Sequence, residues 1–281
     1  MQNTRRQFIR SGLGCAAAIT LNPSLSMTAA EHKTIPIGFQ LYTVRGEFSR
    51  NVPDTLKQLA QIGYKAVEFW GYGGTPEVYQ KYSAPGLRKL LDESGLKCCG
   101  IHLELKALEK DNLQRTIDNN HVLGNKYLNV AAAEEKMQSE KGILELAQFL
   151  NRTAVECRSH DMLVGYHAHP FDFKKIDGRV PWDILFSHLE PEVNMQMDVG
   201  NCLVGQGDPI AMLKKFPGRT RSIHIKEHED KTFDSDYYKQ VFNLCETTSK
   251  TNWYIVEMGG PEGNGFDIPR QALEKLHRLG K

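Results

Sequence analysis

MLVGYHAHPFDF, residues Met162 to Phe173, decides how this chain is to be read. Three apolar residues, Met162, Leu163 and Val164, lead within a few positions to two histidines spaced i and i+2, His167 and His169. An apolar β-run that ends in side chains able to bind metals or carry protons is the pattern of a strand whose C-terminal end opens into an active-site mouth. Residues two apart on a strand face the same way, so both imidazoles can enter one mouth without sharing a role.

Seven further β-rich runs flank this one. IPIGFQLYT from Ile35, YKAVEFW from Tyr64, LKCCGIHL from Leu96 and KYLNVAA from Lys126 precede it; VNMQMDV from Val193, RSIHIKE from Arg221 and WYIVEM from Trp253 follow. Their starts lie about thirty residues apart, the length of one strand plus one helix. The segments between them carry helix punctuation. Pro53-Asp54 opens TLKQLAQIG, where Leu56, Leu59 and Ala60 share a stripe that ends at a Gly63 cap, and Pro85-Gly86 opens LRKLLDESG, ending at Gly95. Longer helices are expected from Asp111 to Leu123 and from Glu140 to Ser159, and shorter ones after Pro181, Pro209, Asp236 and Pro269. Eight strands alternating with eight helices in about 250 residues predict an α/β fold, the (β/α)8 TIM barrel. An open doubly wound sheet would need a Gly-rich phosphate turn after its first strand, and Tyr42-Thr43-Val44-Arg45 is not one.

Residues 1–30 differ in kind from the barrel domain expected over 31–281. Arg5-Arg6 precedes an apolar stretch from Gly12 to Leu21 and then small residues up to Ala30, which reads as a twin-arginine export signal and a periplasmic destination. The apolar stretch is too short for a permanent membrane span. Its removal would take Arg5, Arg6 and Arg10 and no acid, turning 35 basic against 34 acidic residues into 32 against 34. A slightly acidic mature chain argues against a nucleic-acid or anionic-membrane partner. Cys15 lies in the leader; Cys98, Cys99, Cys157, Cys202 and Cys245 remain, an odd set without a C-x-x-C pair. Neither a disulfide framework nor a zinc ribbon is expected, and buried thiols are.

In such a barrel the chemistry gathers at the C-terminal strand ends. Those ends carry Gln40 and Tyr42, Glu68 and Trp70, His102, His167 and His169, Asp198 and Asn201, His224 and Lys226, and Glu257. His167, Asp198, His224 and Glu257, on strands five to eight, have the donors that suit one divalent ion such as Mn, Zn, Fe or Co. Singly, each has a bland alternative: Asp198 in MDVGN as a loop cap, His224 as a bonded core histidine. Glu68, next to Phe69-Trp70, pairs a carboxylate with aromatic surface suited to a sugar. His102 and His169 are candidate proton carriers, and Lys226 shares the face of His224 and can stabilise a developing enolate. Competing ion pairs are Glu68 with Arg45 and Lys226 with Glu257. Gln40, Tyr42, Trp70 and Asn201 are the expected substrate contacts.

Taken together, IGFQLYTVR, GYKAVEFWGY, SGLKCCGIHLEL, GYHAHPFDF, MDVGNCLVGQGDP, SIHIKE and IVEMGG resemble the xylose isomerase-like TIM barrels, the sugar phosphate isomerase/epimerase group that includes inosose dehydratases and tagatose 3-epimerase-like enzymes. The resemblance implies one divalent metal, most often Mn, with Zn, Mg, Co or Fe as alternatives. It implies ligands at the ends of strands five to eight, and Asp198, His224 and Glu257 match. On strand five, His167 stands where relatives carry Glu. This resembles the Y-H-x-H-x-x-E-F variety, with Asp172 in place of its Glu, and Asn201 stands where relatives often have His. The paired glutamates that serve two-face epimerisation are therefore reduced to Glu257. The expected activity is isomerisation or epimerisation of a free sugar or keto-sugar through an enediolate. The alternatives are a lyase or hydratase acting on a 3-keto-glycoside or an inosose-like substrate, a non-catalytic sugar-binding barrel, and an endonuclease-IV-like nuclease that the charge opposes. A small carbohydrate is the expected partner, and a homo-oligomer is compatible with the sequence.

Overall fold

Strand alternation sets the architecture in the computed structural model, which describes residues 34–259 and 265–281. The export signal expected over 1–30 lies outside the described residues. The eight runs form β1 (Ile37–Gln40), β2 (Ala66–Tyr72), β3 (Lys97–Leu103), β4 (Tyr127–Val130), β5 (Leu163–His167), β6 (Asn194–Gln196), β7 (Ser222–Ile225) and β8 (Trp253–Val256). All neighbours are parallel, in the order β6-β5-β4-β3-β2-β1-β8-β7. The ring closes between β6 and β7 through one isolated parallel bridge, Asp198 with His224, where the His224 N–H donates to the Met197 carbonyl at 2.8 Å.

The connecting helices are α1 (Val52–Ile62), α2 (Ala84–Ser94), α3 (Lys110–Leu123), α4 (Glu140–Arg158), α5 (Pro181–His188), α6 (Pro209–Lys215), α7 (Asp236–Thr247) and α8 (Asp267–Arg278). Their starts follow capping chemistry: Asn51, Ser83, Ser139, Asp208 and Ser235 each accept an N–H from the first turn. Gly95 and Gly124 end α2 and α3 with φ near +68° and +71°, a backbone region that other residues reach only at a cost. Four features were not foreseen: α8 begins at Asp267 ahead of Pro269, short helices span Arg45–Arg50 and Val199–Val204, and a hairpin joins Glu77–Tyr79 to Tyr82–Ser83.

The two faces of the barrel wall are unlike. Outward residues such as Phe39, Val67, Phe69, Ile101, Leu128, Val164, Met195, Ile223 and Val256 are buried in the main apolar core, which the helices cover with Leu56, Leu87, Ile117, Leu150 and Trp182. Toward the C-terminal strand ends the inward positions carry polar groups and glycines instead of the branched aliphatics usual inside such barrels, while Ala66, Cys99 and Ile255 form a small apolar cluster apart from the main core. Two glycines make the room. A Cβ on Gly100 would lie 2.1 Å from Glu68 Oε1, and one on Gly165 would lie 2.2 Å from Asn129 Oδ1. The five described cysteines are free and buried, as expected, and no helix among the described residues is long and apolar enough to cross a membrane.

Candidate active site and metal centre

Four strand ends bring His167, Asp198, His224 and Glu257 together, with one donor atom from each within 4.8 Å of the others. Asp198 shows how the sequence places a ligand. Its Oδ1 accepts the Asn201 N–H at 2.7 Å and caps the short helix Val199–Val204, so the cap reading holds for that oxygen. Its Oδ2, also buried, has no hydrogen-bond partner, and neither has His167 Nδ1. Buried polar atoms left unpaired are costly, and these two fit a set of donors prepared for a cation. His102 forms a second cluster with His167 and His224. However, its Nε2 lies 2.9 Å from Gln196 Oε1 and its Nδ1 lies 3.5 Å from Gln40 Nε2, so its nitrogens have other partners.

His224 spans two carboxylates: Nδ1 is 2.6 Å from Glu257 Oε2, and Nε2 is 2.6 Å from Glu68 Oε2. Burial lowers its pKa, but the two carboxylates outweigh that and carry it up to about 10. Burial would raise Glu257, yet the His224 ring brings it down to about 2. Asp198 is pushed up to about 6, chiefly by burial. His167 falls well below the usual imidazole range, first through burial and then through its histidine neighbours, which favours the neutral form that ligates metals. Three buried carboxylates, Glu68, Asp198 and Glu257, surround Lys226 and the charged His224 ring, which leaves an excess of negative charge that a bound cation would offset.

Glu68 sits deeper than the sequence suggested. It is 0% exposed, and its oxygens accept from Gln40 Nε2 at 2.9 Å and Gln196 Nε2 at 2.8 Å in addition to contacting His224. The alternative pair with Arg45 is not formed, and the Arg45 guanidinium lies over the Tyr42 ring. Lys226 Nζ donates to Asn201 Oδ1 at 3.1 Å and approaches Glu257 Oε1 at 3.9 Å, so that expected ion pair is loose. Burial would lower Lys226, but Asp198 and Glu257 raise its pKa and keep it charged. Asn201 turns its amide nitrogen to the Ala168 carbonyl at 3.0 Å.

Above this floor lies a cavity of about 240 Å³, lined by Tyr42, Trp70, Gly71, His102, Ala131, His167, His169 and Glu257. His169 stacks on Phe171, with ring centroids 5.4 Å apart, and burial lowers its pKa to about 4. Gln40 lies beneath the cavity, accepting the Tyr42 N–H at 3.1 Å. The sequence reading missed Gln196, which joins His102 to Glu68 across the floor. Its signal was present, because Asn194, Gln196 and Asp198 alternate with Met195 and Met197 in VNMQMDV.

Asp172 anchors the loop that carries His169. Its Oδ2 accepts the His169 N–H at 2.7 Å, and its Oδ1 accepts the Tyr166 hydroxyl at 3.0 Å. Burial carries this carboxyl up to about 8, against the pull of those two donors. A raised carboxyl holds its proton more tightly folded than unfolded. Its contribution to stability is therefore complete below its unfolded pKa of ~4 and is lost as pH rises toward 8. Asp172→Asn keeps an acceptor for His169 and carries no charge. Melting curves are expected to show the wild type losing several degrees between pH 5 and pH 9 while Asp172→Asn loses clearly less, and parallel profiles would refute the shift.

The family model described as xylose isomerase-like TIM barrel matches residues 56–279. Among solved structures, the chain is similar to a sugar phosphate isomerase/epimerase from Parabacteroides distasonis at 19% identity and a TM-score of 0.74, covering 88% of this chain and 97% of that one. A 3-keto-D-glucoside 4-epimerase from E. coli follows at 14% identity and 0.62, covering 87% and 100%. A "probable 3-DHS dehydratase" from Bacillus anthracis matches at 13% and 0.60, covering 86% and 99%. No curated protein matches the sequence.

Proposed function

Because the chain belongs to the xylose isomerase-like TIM barrel family, we propose that it is a divalent-metal-dependent enzyme that isomerises or epimerises a free sugar or keto-sugar through an enediolate. The observation that carries this reading is the convergence of His167, Asp198, His224 and Glu257, with Asp198 Oδ2 and His167 Nδ1 buried and unbonded. Mn is the proposed metal. Bound there, the ion supplies polarisation of a carbonyl and its neighbouring hydroxyl, which acidifies the hydrogen on the carbon between them.

The chain's own residues do the rest. His169 is neutral at neutral pH and lines the cavity, and its Nδ1, buried without a partner, is placed to take that hydrogen as a proton. Lys226 keeps its charge beside Asn201 and Glu257 and offsets negative charge growing on substrate oxygen. Glu68 acts as a positioning residue: by holding His224 Nε2 it directs Nδ1 toward the ligand cluster. Trp70 meets the apolar face of the sugar, and Tyr42 stands at the rim of the cavity. Export through the twin-arginine route, read from Arg5 and Arg6, favours an unphosphorylated substrate.

A second reading, elimination from a 3-keto-glycoside or inosose-like substrate, draws support from His167. With an imidazole where relatives carry Glu, only Glu257 remains of the carboxylate pair that would serve both faces of a carbon, whereas elimination needs one base. Both readings begin with removal of the same proton. Metal analysis followed by α-proton exchange in deuterated water, over a panel of sugars and keto-sugars, tests them together; protein that binds no metal and exchanges no proton ends both. His169→Ala is expected to keep its metal and slow exchange by about 10²–10⁴-fold, the usual worth of a general base. Undiminished exchange would remove His169 from that role.

A further inference from the structure

The cavity above the ligand cluster is small and two-sided. At about 240 Å³ it falls below the ~300–1,000 Å³ common for drug-sized ligands, which leaves room for one small ring. His102, His167, His169 and Glu257 form its polar side, and Trp70 and Tyr42 its aromatic side. Trp70 is part of the wall, packed against Phe48 at 5.7 Å and Tyr79 at 4.9 Å.

Tyr42 is different. It is 46% exposed, and among the described residues it is the one aromatic side chain in the set of exposed large hydrophobics. It is also held in place. Its N–H donates to Gln40 Oε1 at 3.1 Å, and Gln40 in turn donates to Glu68, so the backbone beneath the ring is tied to the floor of the site. The ring stands edge-to-face with Trp70 at 5.7 Å and 77°. The Arg45 guanidinium lies 4.7 Å over it while donating to the Tyr42 carbonyl at 3.3 Å. An aromatic ring kept rigid and open at the rim of a one-ring cavity is pre-organised contact area, because little side-chain freedom remains to be lost on binding.

We propose that Tyr42 forms a second-ring subsite and that the substrate is a glycoside of at least two sugar rings. One ring enters the cavity among His102, His169 and Glu257, and the next packs its apolar face against Tyr42. This rests on the carbohydrate reading above and narrows it from sugars in general to glycosides.

Calorimetric binding to the metal-loaded protein tests it without turnover, comparing cellobiose, maltose and trehalose with the methyl glucosides. At least one disaccharide is expected to bind about tenfold more tightly than the methyl glucosides, equivalent to ~1.4 kcal/mol. Tyr42→Ala should erase that advantage, and Tyr42→Phe, which keeps the ring and controls for folding, should retain it. The subsite is overturned if no disaccharide outbinds the methyl glucosides, or if the advantage survives Tyr42→Ala. The two proposals fail separately. A Tyr42-dependent preference without α-proton exchange leaves the subsite standing and removes the isomerase, whereas exchange without the preference does the reverse.

Discussion

His224→Ala and Asp198→Ala are each expected to abolish the divalent-metal binding proposed above, and the affinity lost should exceed the ~10–100-fold that removal of an outer partner costs. The two substitutions act for different reasons. Asp198→Ala takes away Oδ2, a buried oxygen with no hydrogen-bond partner, together with the Oδ1 that caps the helix Val199–Val204. Removing His224 also leaves Glu68 and Glu257 facing each other without the imidazole that lies 2.6 Å from each. That variant should therefore melt lower as well, by an amount in the ~3–5 kcal/mol range expected when one member of a buried ion pair is deleted. Elemental analysis of dialysed protein and melting curves read the two effects. Wild-type metal content in either variant would break the ligand assignment.

Glu68→Gln is the second large effect, and it reaches the metal from outside its ligand set. Glu68 Oε2 faces both Gln40 Nε2 and His224 Nε2, while Oε1 accepts from Gln196 Nε2. The orientation of Gln40 is fixed, because its own oxygen takes the Tyr42 N–H. A carboxylate can accept from every side, but an amide has one oxygen, so either orientation turns an NH2 group toward a donor. In either orientation His224 loses the charged partner that holds its Nε2 proton, and the metal dissociation constant should rise about 10–100-fold. Titration against a competing chelator measures this; an unchanged constant would show that Glu68 does not position His224.

The fold was legible because the eight β-rich runs and the helix punctuation both repeat at the spacing of one βα unit, and a closed parallel ring brings strand ends together whatever their separation in sequence. The meeting of His167, Asp198, His224 and Glu257 follows from that geometry alone. The role of Glu68 does not. In sequence its neighbours are Phe69 and Trp70, and its bond to His224 crosses the barrel between β2 and β7, which lie 156 residues apart. The depth that allows this bond is set by Gly100, whose missing side chain leaves the space that Glu68 Oε1 fills. No local pattern encodes that fit. Gln196 was readable in principle by counting inward positions from Asp198. The helix Val199–Val204 hid within MDVGN, where a cap and a ligand look alike because Asp198 serves as both.

Between β6 and β7 the ring has one bridge, supported by the Met195 N–H donating to the Arg219 carbonyl at 2.9 Å, whereas every other pair of neighbouring barrel strands registers over at least three residue pairs. The bridge partners are Asp198 and His224, both of them candidate ligands. The hoop is therefore fastened at its weakest join by the residues that would grip an ion, and on the metal reading proposed above an ion bound there would help hold the ribbon of strands to a circle. Anything bound by the closed form alone shifts the balance toward closure by mass action. In this architecture a bound ion would serve as a clasp as well as a reagent.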